Sequence, residues 1–140
     1  MAESVTIPPV SYLTECSLEI AGNPAGEMDA TVLLKVISCQ KTDAGSDGVG
    51  ADVEIELSLT LSPSENSDEE AFRAVAATRT TALGPSMEEA ASDAAASGYI
   101  TAAGALNTLL SLSPARGLSL PPLDARKTVA EYLGNIEIGS

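Results

Sequence analysis

Residues Asp52 to Ser62 alternate without a fault. Val53, Ile55, Leu57, Leu59 and Leu61 fall on one side, and Asp52, Glu54, Glu56, Ser58, Thr60 and Ser62 on the other. A period of two over this length predicts a half-buried strand. Three further segments read as strands with less regular patterns. Between Val10 and Ile20 the apolar set is Val10, Tyr12, Cys16, Leu18 and Ile20, broken by a gap at Thr14 and by Leu13 on the wrong side. Pro8-Pro9 cannot donate to a ladder, so this strand starts after them and belongs at a sheet edge. Thr31 to Gln40 (TVLLKVISCQ) is more uniformly apolar, as a strand covered on both faces is. Glu70 to Ala82 sets Phe72, Ala74 and Ala76 against Arg73, Val75 and Ala77. Turn-forming residues fill the connectors at 21–26, 42–51 and 62–69, each short enough to join antiparallel neighbours. A four-stranded antiparallel meander is the expected sheet.

The period changes after Gly84-Pro85. Ser86-Met-Glu-Glu89 is a capping box, and from Met87 apolar and small residues recur at three-to-four spacing: Ala91, Ala94, Gly98, Ala102, Ala105, Leu109 and Leu112. Gly98 and Gly104 interrupt a helix at a cost of about 1 kcal/mol each relative to Ala, and predict a break or kink near Gly98. Pro114 ends the element. Arg116 to Leu123 (RGLSLPPL) is an extended apolar crossing, and Asp124 caps a last helix over 125–133, with apolar face Ala125, Val129, Tyr132 and Leu133 and Gly134 as its stop. The fold class is therefore α+β, a single domain over residues 1–140. A four-stranded antiparallel sheet is followed by a long or split helix and a short C-terminal helix on one face.

Composition narrows the function. Seven basic residues stand against twenty acidic ones, a net charge of −13, and there is no histidine. The charge is concentrated before residue 71, where Lys35 and Lys41 are the only bases. This balance argues against nucleic-acid partners and against an anionic membrane surface. The lack of histidine removes every mechanism that relies on it, and four aromatics make no stacking platform. No apolar run is long enough to insert in a membrane. The acidic start at Met1-Ala2-Glu3-Ser4 is unlike a signal peptide, and Cys16 and Cys39 read as reduced apolar side chains. The expected location is the cytoplasm. A bridge between the two cysteines is the alternative.

Candidate chemistry is sparse. Asp43, Asp47, Gly48 and Glu54 fit part of a calcium-loop pattern, but Gly45 occupies a ligand position and the flanks are strands. A solvated hairpin tip is the plainer reading, and no metal site is expected. Glu65, Asp68, Glu69 and Glu70 form an acidic turn, otherwise a docking patch for a basic partner. Glu54 with Glu56 shares a strand face but has no cleft to raise a carboxyl pKa. With no nucleotide loop, nucleophile elbow or paired-cysteine motif, neither an enzyme nor a cofactor is expected. The crossing is more informative. Leu118, Leu120 and Leu123 around Pro121-Pro122 place large apolar groups on a segment that cannot join the sheet. They either close the core or wall an apolar groove open to extended peptides.

The order of elements resembles the SecB-type export chaperones. The likeness rests on Val53 to Leu61 with Glu70 to Val75, on Leu83-Gly84-Pro85 opening the helical half, and on Ala115 to Leu123 (ARGLSLPPL). The family's aromatic-Pro-aromatic cluster is replaced by YITAAGAL at Tyr99 to Leu106. Its translocase-binding acids fall near Pro9, Leu13, Arg73 and Val75. The resemblance implies an ATP-independent holdase for unfolded or nascent polypeptide, general or dedicated to one client, working as a homodimer or homotetramer. Phe72 matches an aromatic of the family's client groove, and Leu106, Leu110, Leu118, Leu120, Leu123 and Tyr132 complete the expected peptide-binding set. The alternative is a structural or assembly protein, such as a phage or accessory subunit, that uses the scaffold for self-association.

Overall fold

The computed structural model describes residues 10–20, 28–42, 48–64, 70–113, 118 and 120–139. Four strands, β1 (Val10–Ile20), β2 (Met28–Thr42), β3 (Val49–Pro63) and β4 (Phe72–Gly84), precede two helices, α1 (Met87–Ser111) and α2 (Ala125–Gly139). The strands form one antiparallel sheet, and α1 lies across β4, β3 and β1 with α2 beside it over β2. This is the expected α+β architecture.

The strand order, β1-β4-β3-β2, corrects the expected meander. β2, β3 and β4 are joined as hairpins, but β1 pairs with β4, from Val10 opposite Thr81 to Ile20 opposite Phe72. The chain thus makes a Greek key read from its far end. β1 lies at an edge, as expected; Pro8-Pro9 fall outside the described residues. β4 is central and β2 is the other edge. This reverses the expectation for β2, whose Leu33 and Ile37 are exposed. The strand with consecutive buried residues on both faces is β4, at Ala74, Val75, Ala76 and Ala77, although helices pack on one face alone. Small side chains there carry little hydrophobic signal in the sequence, yet they let α1 come close.

Two bulges account for the irregular patterns. The β1–β4 register shifts between Leu13 and Glu15. The extra residue, Thr14, flips the alternation, so Leu13 pairs with Thr78 and Cys16 with Ala76 on the helix side, while Tyr12 opposite Arg79 turns to the outer face. A second shift, between Val36 and Ser38, leaves Ile37 unpaired in β2.

α1 runs unbroken through Gly98, where a break or kink is expected. A Cβ on Gly98 would lie 2.9 Å from the hydroxyl oxygens of both Thr78 and Thr80 and 3.5 Å from Ile55 Cδ1. Glycine is present because helix and sheet nearly touch. Thr78 donates its hydroxyl to the Gly98 carbonyl at 3.1 Å. The Ser11 hydroxyl bridges Thr80 at 2.7 Å and Ser97 at 3.0 Å. This polar seam divides the core. On one side Val53, Ile55, Ala90, Ala91, Ala94 and Val129 pack together; on the other, Leu57, Leu59, Leu61, Phe72, Leu106 and Leu110.

The caps are as the sequence indicates. Glu89 N–H donates to Ser86 Oγ at 3.2 Å, and Lys127 N–H to Asp124 Oδ1 at 3.1 Å. α2, however, runs through Gly134 to Gly139. A glycine stops a helix by taking a left-handed φ, and among the described residues only Gly48 does so.

The two helix glycines give opposite expectations. Gly98→Ala forces two β-branched side chains to move and lowers stability by about 1–3 kcal/mol. Nothing lies within 4 Å of a Cβ on Gly104, so Gly104→Ala raises stability by about 0.4–1 kcal/mol. Urea unfolding of both variants checks the pair.

Candidate functional site

The expected peptide-binding residues divide into a buried and an accessible group. Phe72, Leu106 and Leu110 are each no more than 2% exposed, in the core between α1 and the sheet. In this protomer α1 covers them, and they form the floor under the surface. Tyr132 is half-buried against the other core half. Leu120 and Leu123 are half-buried, and Leu118 is 42% exposed. The accessible part of the predicted groove is therefore the crossing itself.

The crossing separates two hollows. On its sheet side a cavity of about 270 Å³ is lined by Ala30, Val32, Leu59, Leu118, Leu120 and Pro121. On its helix side a hollow of about 460 Å³ is bounded by Ala96, Tyr99 and Ile100 of α1 and by Pro122, Leu123 and the start of α2. Ile100 is 72% exposed. Both walls are mainly apolar, and both depend on where the crossing lies. Pro121 and Pro122 have no N–H to bind it to a strand. Tyr99 does this instead: its hydroxyl donates to the Pro121 carbonyl at 3.4 Å and accepts from the Leu123 N–H at 3.2 Å. Sequence reasoning passed over Tyr99 and Ile100. The available signal was a tyrosine and an isoleucine, side by side, in the run of mostly small residues from Ala90 to Ala105.

A third hollow, about 580 Å³, lies between the first half of α1 and α2. Its floor is Val129, Ala130 and Leu133, and its rim carries Glu88, Glu89 and Asp93. Arg126 closes one end, with Nη1 2.8 Å from Asp93 Oδ1 and 2.9 Å from Ser92 Oγ.

The other candidates do not converge on a site. Asp43, Asp47 and the acids at 65–69 lie outside the described residues. Among the described residues, no group of three or more carboxylates and thiols could hold a metal ion. Glu54 and Glu56 stand on the open outer face of β3, where Glu54 accepts a 3.4 Å hydrogen bond from Thr14. On the same face Arg79 holds Asp52 through Nε at 2.9 and 3.1 Å, and this carboxylate raises the guanidinium pKa further.

The cysteines belong to opposite edge strands, with β4 and β3 between them. Three strand spacings of about 4.8 Å alone put them at least roughly 14 Å apart, beyond the reach of a disulfide. The bridged alternative fails on this geometry. Burial, with the Asp52 charge as a smaller contribution, pushes the Cys39 thiol pKa up, whereas Cys16 is exposed. Only the thiolate is alkylated. Iodoacetamide at pH 8 is therefore expected to modify Cys16 first, and Cys39 severalfold more slowly until the pH rises further; peptide mass mapping over time reads both rates.

No family model matches the chain, and no curated protein matches it. Among the described residues, no helix is long and apolar enough to cross a membrane.

Proposed function

We propose that the chain is an ATP-independent holdase that binds unfolded or nascent polypeptide, in the manner of the SecB-type chaperones it resembles. The observation that supports this reading is the crossing segment, which has an apolar hollow on each side, one lined by Leu118 at 42% exposure and the other by Ile100 at 72%. Extended apolar segments fit such paired hollows by side-chain contact alone. The reading needs no cofactor, no metal and no covalent step. It takes the cytoplasm as the site of action and a homodimer or homotetramer as the working form.

The energetics suit transient capture. Fully covering a leucine or isoleucine side chain contributes about 1.5–3 kcal/mol. A few such contacts, less the cost of ordering a flexible client, give micromolar rather than nanomolar binding. A carrier that must release its client without ATP operates in that range. The high negative charge disfavours non-specific aggregation while apolar surface is open.

The test is the aggregation of a chemically unfolded model polypeptide, followed by light scattering at rising amounts of the protein. Near-stoichiometric suppression is expected. Ile100→Ser combined with Leu118→Ser should lower the capacity severalfold with little change in Tm, because both side chains are already exposed. Failure to suppress aggregation at any ratio overturns the holdase reading, and an unchanged capacity in the double variant removes the crossing from it.

A further inference from the structure

The crossing changes sides at one residue. Leu118, Leu120 and Pro121 line the sheet-side hollow, whereas Pro122 and Leu123 line the helix-side one. The two atoms bound to the Tyr99 hydroxyl bracket that change. The Pro121 carbonyl belongs to the peptide before Pro122, and the Leu123 N–H to the peptide after it. How these two peptides lie relative to each other is set by the φ and ψ of Pro122 alone. The proline ring locks φ at about −65°. Holding both peptides on a single oxygen restrains ψ, the one soft dihedral left. Between described residues the crossing makes no other hydrogen bond.

Tyr99 acts from a fixed point. Its ring packs against both halves of the core, and the residue before it is Gly98, where α1 meets Thr78 and Thr80. The ends of the crossing are tied into their own helices. The N–H groups of Leu112 and Ser113 donate to the Leu109 and Leu110 carbonyls, both at 3.2 Å, and Asp124 caps α2. These bonds fix where the crossing leaves one helix and enters the next. Its middle is held by Tyr99 and by the apolar contacts of Leu120 and Leu123 with the core.

We propose that Tyr99 is the positioning residue of the client site: its hydroxyl fixes the turn at Pro122 and so couples the two hollows into one site. This rests on the holdase reading and adds to it a residue that works beyond its own contacts. Tyr99 is in the wall of the helix-side hollow and not among the described residues of the sheet-side one. A residue acting by contact alone serves one hollow. One acting through the Pro122 turn serves both, because Leu118 and Leu120 on one side and Leu123 on the other take their relative placement from that turn. A client that enters both hollows then meets two walls whose spacing is set from α1.

A double-mutant cycle on the full chain, Tyr99→Phe with Leu118→Ser, separates these roles. Phenylalanine keeps the ring and its packing and removes the hydroxyl, and Leu118 is exposed at the opposite hollow, so circular dichroism and Tm should change little in either variant. Capture of a labelled, chemically unfolded polypeptide is read by fluorescence anisotropy, and exchange of the Leu123 amide by NMR. Tyr99→Phe is expected to speed exchange of the Leu123 N–H and to weaken capture severalfold. Leu118→Ser weakens capture in the wild type and should matter much less once the hydroxyl is gone, since residues coupled through one backbone turn do not add. Unchanged Leu123 exchange, unchanged capture in Tyr99→Phe, or simple addition of the two effects overturns the proposal. A wild type that captures no polypeptide overturns the holdase reading itself, and that result is read before either variant is compared.

Discussion

The closest contact between helix and sheet, Gly98 over Thr78 and Thr80, determines the placement of everything else in the second layer. A side chain at this position would hold α1 away from β4, and the alanines at 90, 91, 94 and 95 are too short to bridge a wider gap. The threonines are suited to the contact in turn. Their hydroxyls satisfy the Gly98 carbonyl and the Ser11–Ser97 pair, so a buried polar strip does not carry the penalty of unmade hydrogen bonds. Beyond the seam larger residues take over, with Phe72, Leu106 and Leu110 packed together toward the C-terminal end of α1.

That change in residue size explains why the candidate surface lies at the crossing. The large side chains under the second half of α1 are packed against one another and hold the helix to the sheet. Leu120 and Leu123 pack onto the rim of that filled core, and Leu118 stays exposed at the sheet-side cavity. Tyr99 is the hinge of this arrangement, because one hydroxyl connects helix and crossing where two prolines have removed the usual donors.

Much of the fold was legible in the sequence, for identifiable reasons. The alternation in β3, the Ser86 and Asp124 caps and the proline-rich crossing are local signals, and local signals survive in a single chain. The mismatch at Leu13 and Thr14 was a genuine mark of the β1 bulge, visible before its meaning was. The strand order was not legible, because hydropathy names the buried face of a strand and says nothing of its neighbours. Gly98 was misread for a related reason: helix propensity describes an isolated helix, while the glycine answers to two threonines eighteen and twenty residues earlier. The division of the predicted groove into buried and open halves depends on side-chain volumes summed across three elements, which no local pattern encodes.

The Greek-key order also has a kinetic side. β2, β3 and β4 can zip up from neighbouring hairpins, but β1 has no partner until β4 exists, since Ile20 pairs with Phe72 and Val10 with Thr81. On a ribosome adding roughly 5–20 residues per second, the first strand to be made waits several seconds for the last. During that interval Leu18 and Ile20 have no sheet partner, and a bulge with carboxylates is the kind of edge that disfavours non-native pairing.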